Sequence, residues 1–99
     1  MNDKIRVGTY QGPIVDNDFE ANLRKVEQVL QQTKNMQLDF ICFPETFLSG
    51  YSQKAVSESS ILLDDPRLHS FVQRSAVYDT VILVGLSERL HDKIYNTQI

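Results

Sequence analysis

The segment Leu38-Asp39-Phe40-Ile41-Cys42-Phe43-Pro44-Glu45-Thr46 decides how this 99-residue chain is read, because an apolar run stops abruptly at a proline and a carboxylate. Phe40 to Pro44 predicts a buried strand: aromatic and β-branched side chains suit a pleated surface, and proline removes the next ladder donor. Such a strand delivers Glu45 to the edge of a sheet. In an open α/β fold, ligands gather at the carboxyl ends of the strands, so Glu45 is a candidate general base.

On the N-terminal side, Lys4 to Tyr10 is a short β-favouring run closed by Gly12 and Pro13. Asn17, with Glu20 three residues on, forms a capping-box pattern, and Phe19, Leu23, Val26, Leu30 and Thr33 recur at helical spacing. An amphipathic helix from Asp18 to Lys34 is predicted, with Asn35 as its left-handed stop. On the C-terminal side, Asp65 as N-cap and Pro66 in the first turn open a second helix that buries Leu68, Phe71, Val72 and Ser75. Thr80 to Leu86 predicts a third strand. Its run Val81-Ile82-Leu83-Val84 has no polar alternation, as expected of a strand covered on both faces. Arg89-Leu90-His91-Asp92-Lys93 reads as a hairpin turn, and Ile94 to Ile99 as the opening of a fourth strand that stops with the chain.

The resulting class is α/β, in the order β-α-β-α-β plus the start of a fourth strand. Right-handed crossovers make the first three strands parallel and place both helices over one face. The other apolar face is expected to find cover in a remainder of the chain, in another subunit or in a complementary half. Thr46 to Leu63 joins the second strand to the second helix without a clean period, and connections longer than about 12–15 residues are commonly functional or contain a minor helix. Within it Phe47, Leu48 and Tyr51 lie just past Glu45 and are candidates to wall a pocket, the other reading being that they pack the sheet edge. Gly50 permits a tight turn.

Composition narrows the function classes. A net charge of −3 with interspersed signs offers no basic stripe for nucleic acid. No apolar run approaches a bilayer span, and Met1-Asn2-Asp3-Lys4-Ile5-Arg6 has no apolar signal core behind its charges. The single cysteine, Cys42, precludes an internal disulfide and suits a cytoplasmic location. His69 and His91 show no metal-ligand spacing, so neither a metal nor another cofactor is expected. Leu48-Ser49-Gly50 is no nucleophile elbow, because Phe47 stands where that motif needs its first glycine. Gly8 and Gly12 form no phosphate loop, and Asp64-Asp65 before Pro66 is assigned to helix initiation.

Taken in order, Tyr10-Gln11, Asn22-Leu23, Phe40-Ile41-Cys42-Phe43-Pro44-Glu45, Phe47, Gly50-Tyr51, Val84-Gly85 and Tyr95-Asn96-Thr97 resemble the N-terminal part of the nitrilase superfamily of carbon-nitrogen hydrolases. The resemblance covers essentially the whole chain. It implies an αββα sandwich, each half a mixed sheet with helices outside, usually assembled into dimers or larger oligomers. It also implies hydrolysis of non-peptide carbon-nitrogen bonds in amides, nitriles or carbamoyl compounds by a Glu, a Lys and a nucleophilic Cys. Glu45 matches the glutamate. In that role it takes the thiol proton, protonates the departing ammonia or amine and activates the water that hydrolyses the thioester. Phe47 and Tyr51 are the residues expected to bind substrate.

The family's lysine lies beyond the strand that begins near Tyr95, and its cysteine farther on, so this chain contains neither position. Lys93 precedes Tyr95-Asn96-Thr97 and reads as a solvated turn residue. Cys42, three residues before Glu45, points to the opposite face of an extended strand, where a cysteine behaves as a small inert hydrophobe. Residues 1–99 are therefore expected to be an incomplete domain, inactive alone. Its partners are then a small-molecule substrate once the domain is completed, and either a homo-oligomer or the complementing remainder. The alternative is a non-catalytic binding or assembly module that pairs through its exposed sheet face.

Overall fold

The computed structural model describes residues 4–99, so the opening Met1-Asn2-Asp3 of the expected leaderless start lies outside the described residues. The short apolar runs build a parallel sheet of β1 (Val7–Thr9), β2 (Phe40–Cys42) and β3 (Val81–Leu83), in the spatial order β1-β2-β3. Val7, Phe40 and Val81 lie in one row, Gly8, Ile41 and Ile82 in the next, and Thr9, Cys42 and Leu83 in the third. Because alternate residues face opposite sides, these rows give the sheet two different faces. Ile41 is buried in the core with the helices, whereas Val7, Phe40 and Val81 remain 60%, 36% and 49% exposed.

Both long helices cover the Ile41 face. α1 (Phe19–Thr33) buries Phe19, Asn22, Leu23, Val26 and Leu30, following the predicted spacing. Its cap is Asp18, whose Oδ1 accepts the Ala21 N–H at 3.0 Å, not Asn17. Asn17 takes a left-handed φ of 59° and spends its side chain on Glu58 and Ser59, a long-range pairing that overrides the local capping pattern. At the other end the helix tightens into a 3-10 turn over Lys34–Met36, and Gln37 rather than Asn35 adopts the left-handed stop at φ 56°. The long connection contains a minor helix, one of the two alternatives its length left open: α2 (Gln53–Glu58), capped by the Ser52 hydroxyl on Ala55 N at 3.0 Å.

α3 (Pro66–Ser75) opens as expected, with Asp65 Oδ1 accepting the Arg67 N–H at 2.8 Å. Leu68 and Phe71 are buried, but Val72 is 57% exposed. The helix rests on the Leu68–Phe71 seam, and Val72 falls at its margin beside an apolar notch shared with Ile82, Val84 and Ile99. Arg74 pairs with Glu27 and Tyr78 donates to Gln31 at 3.0 Å, tying α3 and its C-terminal exit to α1. Such surface pairs contribute little; the shared core of Leu23, Val26, Leu30, Ile41, Phe43, Leu68 and Phe71 carries the packing.

The predicted third strand is interrupted. β3 ends at Leu83, Val84 intervenes, and β4 (Gly85–Leu90) then pairs antiparallel with β5 (Lys93–Gln98) across the turn His91-Asp92. Val84 and Ile99 exchange two backbone bonds of 3.0 Å, so the hairpin grows directly out of the β3 end of the sheet. On this packing, Leu30→Ala costs about 3 kcal/mol in urea denaturation, while Val72→Ala stays within about 0.5 kcal/mol. Equal losses for the two variants would show that Val72 is packed after all.

Candidate active site

The candidate site begins where β2 stops. Phe43 still donates to Leu83 O at 2.8 Å, but Pro44 has no N–H to continue the ladder, and the chain turns off the sheet at Glu45. Phe47 N donates to Pro44 O at 3.3 Å, and Ser49 N and Gly50 N donate to Thr46 O at 3.1 and 2.8 Å, closing a compact turn over residues 44–50. Thr46 holds a left-handed φ of 47° while buried, a conformation that costs a β-branched residue about 1–3 kcal/mol. The turn also rests on Gly85. A Cβ there would lie 2.6 Å from both Glu45 Cα and Thr46 N and 2.7 Å from Pro44 O, so only glycine admits this backbone.

Glu45 is exposed on the open rim, and its Oε2 accepts a hydrogen bond from Asn96 Nδ2 of β5 at 3.0 Å. Beneath the rim, Tyr10, Phe43 and Phe47 form a ring cluster with centroids 5.3 to 5.6 Å apart. Phe47 and Leu48 are fully buried in the hydrophobic core beneath the turn, so both pack the sheet edge and Phe47 offers no surface for direct contact with a substrate. Tyr51 is 54% exposed and shares the rim with Glu45. Partial burial pushes its phenol above the usual range, and the Glu45 charge pushes it further in the same direction. Burial is the larger of the two causes, and the Glu45 charge is the one that a substitution isolates.

Polar side chains hold the rest of the connection. Asp16 accepts from Tyr51 N at 2.8 Å and Ser52 N at 3.1 Å, and from the Ser52 hydroxyl. Gly50, at φ 109°, passes so close to Asp16 Oδ1 that a Cβ would collide with it. Asn22, almost wholly buried, accepts from Val15 N at 2.8 Å and donates to Val15 O at 2.7 Å and Leu48 O at 3.3 Å. Ser49 donates to Thr46 O at 3.1 Å and meets the Ser87 hydroxyl at 2.9 Å; both serines are buried, so Ser49 serves packing and no nucleophilic role.

The other singled-out residues lie elsewhere. Cys42 is a half-buried free thiol on the same open sheet face as Phe40, His69 and His91 are exposed, and Lys93 is exposed beside the hairpin turn. Among the described residues no group of three His, Cys, Asp or Glu side chains could hold a metal ion, and no helix is long and apolar enough to cross a membrane. Sequence reasoning missed Asp16 and gave Asn96 no role. Their partners lie 35 and 51 residues away, and no local pattern records such distances.

Two measurements follow from the rim. The Ser52 hydroxyl, then its N–H, hold the Asp16 carboxyl below the usual range against the opposing effect of burial, with a lesser contribution from the Tyr51 N–H. A carboxyl lowered on folding stabilises the fold above its unfolded pKa and loses that stabilisation as pH falls, here below about pH 4. Amide-exchange protection at Tyr51 and Ser52 accordingly drops below that pH and loses this dependence in Asp16→Asn; constant protection in the parent down to pH 3 would remove Asp16 from the account. In Glu45→Gln the Tyr51 phenol ionises at lower pH than in the parent, followed by tyrosine ring NMR. An unmoved titration would mean that the two groups do not share the rim.

With this geometry established, comparison places the chain among known proteins. The family model described as carbon-nitrogen hydrolase matches residues 6–99. An arylacetonitrilase of Aspergillus niger is 26% identical over 99% of this chain and 34% of its own length. A hydrolase encoded in the 5′ region of pqqF in Pseudomonas protegens is 34% identical over 93% of this chain and 33% of its own. Among solved structures, a CN-hydrolase superfamily protein of Xanthomonas campestris with an arsenic adduct in its active site superposes with a TM-score of 0.78 at 23% identity, covering 95% of this chain and 35% of that one. The chain thus spans about a third of the length of the relatives it matches, corresponding to their N-terminal part. A family match over nearly every described residue, together with the same fold, makes this chain a member of the carbon-nitrogen hydrolase family.

Proposed function

We propose that this chain is the base-carrying part of a carbon-nitrogen hydrolase acting on small amide, nitrile or carbamoyl substrates. The observation that carries the reading is the placement of Glu45: an exposed carboxylate at the carboxyl end of a central parallel strand, held by Asn96. Glu45 acts as general base and acid. It takes the proton of a nucleophilic thiol, returns a proton to the departing ammonia or amine, and then activates water against the thioester. Tyr51 contacts substrate from the rim, and Phe47 supports it from beneath. The thiol and the lysine of that chemistry come from outside residues 1–99, since Cys42 faces away on the open sheet and Lys93 stands at the hairpin turn.

Purified residues 1–99 therefore show no turnover of arylacetonitrile, aliphatic amide or carbamoyl substrates. A fusion to the C-terminal two thirds of the Aspergillus niger arylacetonitrilase gains turnover, which Glu45→Gln lowers by at least about 100-fold, the scale of a lost general base. Turnover by the isolated chain that disappears in Cys42→Ala would overturn the assignment of the nucleophile. Turnover by the fusion that survives Glu45→Gln would overturn that of the base.

A second reading, a non-catalytic assembly module, draws on one observation: the row Val7, Phe40 and Val81, each at least a third exposed on a continuous sheet face. Contiguous apolar patches beyond a few hundred Å² are rare on stable monomers. The isolated chain should self-associate through this face, and Phe40→Lys should reduce the association in sedimentation velocity. A sharp monomer without binding of an apolar dye would remove this reading.

A further inference from the structure

The β4–β5 hairpin meets the Glu45 turn with one face. Gly85 and Ser87 alternate along β4, and Asn96 lies directly opposite Ser87 in β5, so all three project to the same side. Each meets residues 44–49 in a different way. Gly85 has no side chain where the Pro44-Glu45-Thr46 backbone crosses it, and its carbonyl accepts from Leu48 N at 3.1 Å. Ser87 meets the Ser49 hydroxyl at 2.9 Å. Asn96 alone reaches a side chain that the proposed chemistry uses, Glu45, at 3.0 Å.

We propose that Asn96 is a positioning residue for Glu45: its amide fixes the carboxylate by holding Oε2 and leaves Oε1 free to exchange the proton. The proposal rests on the reading of Glu45 as the base. An ionised carboxylate only accepts, so Asn96 must present its Nδ2, and this fixes the orientation of the asparagine amide as well. Among the described residues no hydrogen bond reaches Oε1, which keeps its lone pairs available. A glutamate has three rotatable side-chain bonds, and an exposed one samples several rotamers unless a partner selects one. Gly85 fixes where the backbone of Glu45 sits, and Asn96 fixes where its carboxylate points. Small misplacements of a reacting group are costly, which gives such an anchor its value.

The test uses residues 1–99 themselves and reads orientation instead of turnover, so its failure is separate from a failure of Glu45 as base. In isotope-labelled protein, the Asn96 side-chain amide resonances should move with a carboxylate titration that vanishes in Glu45→Gln. The Glu45 side-chain couplings should report one dominant rotamer in the parent. They should average in Asn96→Ala and in the isosteric, donor-free Asn96→Asp, while amide dispersion elsewhere is retained. An Asn96 amide that ignores pH through the carboxylate range, or Glu45 couplings unchanged in both Asn96 variants, would overturn the proposal. Gly85→Ala should displace the Glu45 and Thr46 backbone resonances; if it does not fold, the Asn96 variants still decide the matter.

Discussion

The close approach of the Pro44-Glu45-Thr46 backbone to Gly85 is the constraint on which the candidate site depends. Two chain segments some 40 residues apart touch at a point where no side chain fits, and the missing Cβ lets the turn settle onto the start of β4. Thr46 then accepts an unfavourable left-handed conformation in a buried setting. The surrounding hydrogen bonds and the burial of Phe47 and Leu48 offset a strain of about 1–3 kcal/mol, so it persists in the folded state.

The turn and the connection after it have little ladder of their own, so polar side chains replace the ladder. Asn22 ties α1 to both Val15 and Leu48, Asp16 caps the backbone of Tyr51 and Ser52, and Ser49 joins Ser87 across to the hairpin. Each such bond adds only about 1 kcal/mol net, but leaving a buried partner unsatisfied costs more, which makes the arrangement specific as well as stable. Among the described residues every buried side-chain nitrogen or oxygen finds a partner. The polar framework therefore serves precision of the rim more than gross stability, which the apolar core under α1 and α3 supplies.

The two faces of the parallel sheet tell different stories. The Ile41 face is closed by helices, and the Val7, Phe40 and Val81 face is open. That asymmetry fits a chain about one third the length of its relatives. Glu45 and the Tyr10, Phe43 and Phe47 ring cluster lie within this third, so the carboxylate has a structured environment of its own.

Sequence alone determined the α/β class, the parallel βαβαβ order, the Asp65 cap and the arrival of Glu45 at the end of β2. These depend on local signals: helical and strand periodicity, a proline that stops a ladder, an acid placed before a helix. The elements that sequence misplaced show where such signals fail. Asn17 lost its capping role to Asp18 because residues more than 40 positions away claimed its side chain. Val72 matched the helical stripe yet lies at its margin, because the position of the neighbouring seam decides how wide a buried stripe becomes. The expected third strand broke at Val84, where a new antiparallel partner takes over. Only the tertiary structure could bring Asn96 to Glu45, Asp16 to Tyr51 and Gly85 under the turn, because each is a contact between distant segments whose geometry is set by packing and not by neighbours in the chain.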